Sequence, residues 1–317
     1  MNELLVVSSS PHIRGSLTVR KIMMDVTIAL LPAGIMGVYF YGWHALLIMV
    51  LSVASAVLTE AVIQKLMKKP VTVNDFSAVV TGLLLAYNVP PTAPWWLPVV
   101  GSAFAIAIVK QCFGGLGHNF VNPALAGRAF LLVSWPVLMT NFVAPGLDAV
   151  ASATPLALMK SGAVEQLPSL WNLFIGNIGG CIGETSALAI LIGAAYLVAA
   201  RLIDIRIPLS FIGTTALLTW IFGGQAGMFT GMPLHHILMG GLMLGAFFMA
   251  TDYTTSPVSP KARIVFGIGC GVITSVIRIW GGYPEGVSYS ILIMNIAAPL
   301  LDRFMKPKVF GEVKSRG

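Results

Sequence analysis

Residues 43–64 read WHALLIMVLSVASAVLTEAVIQ, and Lys65, Lys68 and Lys69 follow at once. Only Glu60 carries a formal charge in that run. Its length matches the roughly 20 apolar residues a helix needs to cross a bilayer. The lysines at its end mark a cytoplasmic boundary, because loops on that side keep an excess of Lys and Arg. The pattern recurs along the chain. Segments of about this size lie near 22–42, 43–64, 77–93, 96–113, 124–143, 173–200, 207–223, 234–250, 264–280 and 287–304.

With the N-terminus placed inside, the even-numbered connections are cytoplasmic and the cations sort themselves. Sixteen of the nineteen fall inside: Arg14, Arg20, Lys21, Lys65, Lys68, Lys69, Lys110, Arg201, Arg206, Lys261, Arg263, Arg303, Lys306, Lys308, Lys314 and Arg316. The exceptions are Arg128 in the fifth span, Lys160 in an outer loop and Arg278 near the outer end of the ninth. A wrong span count would reverse every later loop. The absence of a cleavable leader pattern after Met1 agrees with an inside start.

Composition points the same way. Of 317 residues, 56% are hydrophobic and 10% charged, against about 25% charged in soluble domains, and the mean hydropathy is +0.86. The net charge of +7 therefore belongs to membrane sidedness, and nucleic acid is excluded as a partner. Cys112, Cys181 and Cys270 lie far apart, which argues against an iron–sulfur or zinc site within this chain. No glycine-rich dinucleotide fingerprint follows a strand pattern, so NAD binding belongs elsewhere.

The expected fold is an all-α integral membrane protein of about ten transmembrane helices, arranged as an inverted five-plus-five repeat with broken helices and both termini cytoplasmic. It reads as one polytopic domain over 1–317: a cytoplasmic segment 1–21, a first half 22–143, an outer loop 144–172, a second half 173–304 and a cytoplasmic tail 305–317. The repeat rests on Phe113-Gly114-Gly115 before Asn122-Pro123 and on Trp280-Gly281-Gly282 before Val287. Two unrelated glycine turns would look the same. Five spans per half give opposite orientations, as in many carriers. Interruptions are expected at Tyr87-Asn88-Val89-Pro90-Pro91 and at Gly176 to Gly183, ahead of Glu184. Irregular backbone at membrane depth must line a cavity or be buried in protein.

The outer loop contains Asp148-Ala149-Val150-Ala151-Ser152-Ala153-Thr154-Pro155-Leu156. There the chain resembles the D subunit of the Rnf ion-translocating electron-transport complex, related to the B subunit of the sodium-pumping NADH:quinone reductase. The similarity extends through Ser8-Ser9-Ser10-Pro11-His12, Gly117-His118-Asn119-Phe120-Val121-Asn122-Pro123-Ala124 and Ala250-Thr251-Asp252-Tyr253-Thr254-Thr255-Ser256-Pro257. The resemblance implies that a flavin transferase attaches FMN through its phosphate to Thr154, with Asp148, Ser152 and Ala153 as its recognition residues. Ala151 departs from the Ser or Thr often found there. It implies a second, non-covalent flavin, riboflavin, near the inner end of the fourth and fifth spans, where Asn119 and Asn122 could hydrogen-bond the ring. The same asparagines also suit a helix cap.

The partners implied are the A, B, C, E and G subunits of an Rnf complex, especially the flavin-bearing G subunit, in a bacterial inner membrane. The implied function is coupling of electron transfer between ferredoxin and NAD(H) to Na+ or H+ translocation. A flavin-free secondary transporter or channel and the B-type subunit remain alternatives, and the Asp-to-Thr motif separates the first of these. Among other residues, Lys160 or Arg278 could serve the flavin phosphate or the reduced anionic flavin, although a solvated Lys160 and a snorkelling Arg278 are the favoured reading. Arg128 at membrane depth requires a partner. Asp25 and Asp252 read as interfacial, Glu60 as a helix-end charge near Lys65, and Glu184 as the intramembrane carboxylate with a functional role. His235 and His236 point apart and do not chelate together.

Overall fold

The computed structural model describes residues 17–145, 153–224 and 227–306, and no β-strand occurs among them. The chain opens with a long hairpin. Helix α1, Val19–Tyr41, is capped by Thr18, whose hydroxyl accepts the Lys21 N–H. It stops at Gly42, whose φ of 71° reverses the chain into α2, Trp43–Leu66. Against this hairpin lies α3, Ser77–Tyr87, apolar on every side and buried at all positions but Val79. An all-round apolar helix belongs inside a bundle. Next come α4, Trp96–Phe104, which continues as a π-helix over Ala105–Gln111, then α5, Pro123–Ser134, and the single turn α6, Pro136–Met139.

The second half begins with two short helices, α7 at Pro155–Ser161 and α8 at Leu170–Ile175. It continues through α9, Ala187–Ala199, α10, Arg206–Phe222, and α11, Pro233–Leu238. Helix α12, Leu242–Leu244, runs into a second π-helix, Gly245–Met249, and α13, Pro260–Trp280, and α14, Val287–Phe304, close the fold. Helix α9 lies so close to α1 that a Cβ at Gly193 would stand 1.9 Å from the Ala29 carbonyl oxygen.

Among the described residues three helices, α1, α2 and α13, are long and apolar enough to cross a membrane, and five shorter ones are also apolar. Ile35, Val50, Leu58, Ile192, Leu209 and Ile296 are each more than half exposed. Water would penalise so much exposed apolar surface; acyl chains would not.

The expected interruptions occur. Helix α3 ends at Tyr87, followed by a buried irregular stretch, and the segment between α8 and α9 is irregular from Gly176 to Ser186. The two breaks are joined by backbone, with Ile182 N–H donating to the Val89 carbonyl at 3.2 Å and Gly183 N–H to that of Tyr87 at 3.1 Å. A third interruption, at Met239-Gly240-Gly241 in the segment expected to be the eighth span, was not anticipated. The two glycine pairs also differ in conformation. Gly114 and Gly115 have φ of 120° and 98°, whereas Gly281 is extended.

Candidate functional site

The site is built along α5. Its N-cap is Asn122, whose Oδ1 accepts from Ala124 N–H at 3.0 Å and Leu125 N–H at 3.3 Å, with Pro123 in the first turn. Asn and Pro are favoured at these positions. Arg128 follows six residues later, about 9 Å along the axis at 1.5 Å per residue. A cavity opens beside each of the two.

The first cavity spans about 820 Å³ of non-atom space with the open solvent at its mouth included, and Arg128, Thr154, Cys181, Glu184 and Glu285 contribute to its wall. Arg128 is buried. Its Nη1 donates to Ser288 Oγ at 2.7 Å, Asn88 Oδ1 at 2.9 Å and Glu184 Oε1 at 3.2 Å. Its Nη2 donates to Glu285 Oε2. The other Glu285 oxygen accepts from Gly241 N–H at 2.9 Å. Burial pushes the Glu285 carboxyl up, but Arg128 and the Gly241 N–H outweigh it and hold the group below the ordinary carboxylate value. A Cβ on Gly241 would stand 2.6 Å from Glu285 Oε1 and 2.7 Å from Glu184 Oε1, so both carboxylates converge on a point only glycine leaves open. The cluster draws on every irregular segment in this part of the bundle: Asn88, Glu184, Gly241 and Glu285.

Thr154 is partly buried at the start of α7, and its hydroxyl accepts the Ala157 N–H at 3.2 Å. It therefore caps a helix and borders the cavity together. Ala153 beside it is exposed. Asp148 and Ser152 lie outside the described residues. Neither outer cation lines this cavity. Lys160 Nζ donates to the carbonyls of Gly281 and Tyr283, and buried Arg278 to those of His236 and Met239. Arg278 therefore does not snorkel; it satisfies the end of α11.

The second cavity, about 780 Å³, is bordered by Asn119, Asn122, Ser77, Lys110, Asp252 and Phe248. Asn119 Nδ2 donates to Thr254 Oγ1 at 2.9 Å and to the Val121 carbonyl at 3.2 Å. Asn122 Nδ2 reaches the Met249 carbonyl at 3.3 Å. Both π-helices flank this cavity, through Lys110 on one and Phe247 and Phe248 on the other; such turns recur at functional sites.

Glu60 requires correction. It is not a helix-end charge near Lys65 but a buried partner of Lys110 at 2.7 Å, with Gln111 Nε2 donating to the same oxygen at 2.7 Å. Lys110 also donates to Ser77 Oγ at 2.6 Å. No cluster of three His, Cys, Asp or Glu suited to a metal occurs among the described residues.

Asn88 links the Arg128 cluster to the second π-helix: its Oδ1 accepts from Arg128 Nη1 at 2.9 Å and its Nδ2 lies 3.7 Å from Met249 Sδ. The sequence signalled Arg128 and Glu184 but not Glu285, Asn88 or Ser288. The available signal was the demand of Arg128 for a counter-charge, with Glu285 inside the Tyr283-Pro284-Glu285-Gly286 turn.

Helices with lipid-compatible surfaces, interrupted beside two cavities that meet one helix, define a membrane protein as the class. Comparison with known proteins is more specific: the chain belongs to the NQR2, RnfD, RnfE family, whose model matches residues 6–311. It is 57% identical to the D subunit of the Na+-translocating ferredoxin:NAD+ oxidoreductase complex of Acetobacterium woodii, over 99% of this chain and 98% of that one. It is 46% identical to the D subunit of the proton-translocating ferredoxin:NAD+ oxidoreductase complex of Clostridium ljungdahlii, over 97% and 96%. It is 36% identical to the D subunit of the ion-translocating oxidoreductase complex of Escherichia fergusonii, over 97% and 99%.

Proposed function

We propose that this chain is the D-type membrane subunit of an Rnf complex that couples electron transfer between ferredoxin and NAD(H) to the movement of Na+ or H+. In this reading ten spans cross a bacterial inner membrane as two inverted halves with both ends in the cytoplasm. Thr154 carries FMN through a phosphodiester installed by a flavin transferase, and Asn119 and Asn122 border a riboflavin site. The A, B, C, E and G subunits of the complex supply the remaining carriers.

The observation that carries the reading is the placement of two cavities along α5, one bordered by Thr154 and the other by Asn119 and Asn122. Both fit a flavin by their chemistry. Each is mainly apolar with a few polar groups converging on it, the usual make-up of a cofactor pocket. A flavin supplies one- and two-electron chemistry. This chain supplies the rest: the Thr154 hydroxyl as anchor, Arg128 as a fixed positive charge at the floor of one cavity, and amides and hydroxyls around the other. Between Ala124 and Arg128 the axial rise is only about 6 Å, which keeps the two sites within short range of one another. A solute carrier has no use for an anchoring threonine at such a pocket.

The test is mass spectrometry of the peptide containing Thr154, together with ultraviolet fluorescence of the band after denaturing electrophoresis. The reading requires an FMN adduct on Thr154 and a dark band in Thr154→Val. A band that still glows in the variant rules out the assignment.

A further inference from the structure

The charge cluster beneath Thr154 is larger than anchoring a cofactor requires, and its bonds are unevenly shared. A guanidinium Nη carries two hydrogens. Nη1 of Arg128 faces three acceptors, and Glu184 is the most distant at 3.2 Å, behind Ser288 at 2.7 Å and Asn88 at 2.9 Å. Glu285, in contrast, is held at both oxygens, by Arg128 Nη2 and by Gly241 N–H. Two carboxylates, Glu184 buried and Glu285 half-buried, thus share one guanidinium, and only Glu285 has a firm claim on it. The groups facing Glu184 are Arg128 from α5, Glu285 from the turn before α14, Arg278 from α13, Tyr41 from α1 and Cys181 from its own segment. Arg278 contributes charge from a distance, since its Nη atoms are spent on carbonyls.

We propose that Glu184 is a proton-binding site tied to the redox state of the Thr154 cavity: it takes up a proton when the ring there gains electrons and releases it when they leave. The inference rests on the reading of Thr154 as the flavin anchor. Two electrons, delivered singly by a flavin or iron–sulfur donor in the complex, arrive on the ring with one proton. The Glu184 carboxylate binds a second proton drawn from water at the cavity mouth and becomes a carboxylic acid. Two electrons and two protons leave the net charge of the cavity unchanged. That balance is favoured at a buried site, where uncompensated charge costs several kcal/mol. Arg128 stays paired with Glu285 throughout and keeps the cluster in place.

The experiment is a redox titration of the purified complex over a range of pH, with the anchored flavin isolated as the difference between wild type and Thr154→Val. Wild type should bind two protons per two electrons. In Glu184→Gln the fluorescent band should persist while the pH slope of the midpoint potential falls by about half, and Glu184→Asp should restore most of it. An unchanged slope in a fluorescent Glu184→Gln protein overturns the proposal and leaves the flavin anchor standing. If Glu184→Gln does not assemble, the redox-difference infrared spectrum of wild type decides: a protonated-carboxyl band must appear on reduction, and its absence overturns the proposal. A wild-type band without fluorescence removes the anchor itself, and the inference falls with it.

Discussion

The two cavities along α5 sit on the same helix and are built from opposite materials. Around Arg128 the wall is ionic, and its charges come from irregular segments far apart in sequence. Around Asn122 the groups nearest the helix start are amides and hydroxyls, and the one buried ammonium, Lys110, is already matched by Glu60. The contrast teaches that one helix can border a wall of charges shared across several irregular segments and, about two turns away, a wall of amides and hydroxyls with Asp252 and an internally matched lysine.

The largest effect should come from breaking the ionic wall. Arg128→Met leaves the buried Glu184 and the half-buried Glu285 without their cation, a loss of about 3–5 kcal/mol by analogy with other broken buried pairs. Thermal unfolding of the detergent-solubilised complex, or the yield of assembled protein, should fall sharply. A stable variant would show that the carboxylates are already protonated.

Asn122→Leu sharpens the comparison from the other end. It removes the α5 cap, worth about 0.5–2 kcal/mol, and the link to the Met249 carbonyl. Acid precipitation should release less free flavin from this variant while the Thr154-linked fluorescence stays intact. Loss of both flavins together would mean the cavities are not independently loaded.

Gly241→Ala probes the point where the carboxylates meet. Its Cβ would crowd two oxygens that stand 2.6 Å and 2.7 Å away, and overpacking of this kind costs about 1–3 kcal/mol. The expected outcome is a lower unfolding temperature than wild type with the free flavin content retained.

The smallest effect lies outside both cavities. Asp204 is partly buried, which raises its carboxyl, but the Arg206 N–H and the Arg263 guanidinium outweigh that and hold it below the ordinary aspartate value. A depressed folded-state value means the stabilisation is present above about pH 4, the unfolded value, and is lost as pH falls through the folded one. The stability gap between wild type and Asp204→Asn should be under about 1 kcal/mol at neutral pH and close in acid. A gap that widens on acidification would reverse the sign of the argument.

Much of this was legible in the sequence, for reasons that differ by residue. The apolar runs and the lysines after Gln64 report local chemistry, so α1, α2 and α13 could be expected from composition. The breaks at Asn88 and at Gly176–Gly183 were visible because proline and glycine interrupt a helix wherever they cluster. The break at Met239-Gly240-Gly241 was not, because it lies within a long apolar run that a hydropathy reading treats as continuous. Glu60 was misassigned for a related reason. Lys65 is near it in sequence, but its partner Lys110 sits fifty positions away on a π-helix. The bond between Arg128 and Glu285 spans 157 positions, and no periodicity reports a contact at that range.

The two backbone hydrogen bonds that join Tyr87 and Val89 to Gly183 and Ile182 act as a rivet through the middle of the molecule. Carriers with inverted halves transport by rocking one half against the other, and here such a swing would shear two buried peptide bonds' worth of hydrogen bonding with no water to replace it. The break after α3 and the break before α9 are thereby tied into one unit, so the polar groups they present, Asn88 and Glu184, keep a fixed spacing across the Arg128 guanidinium.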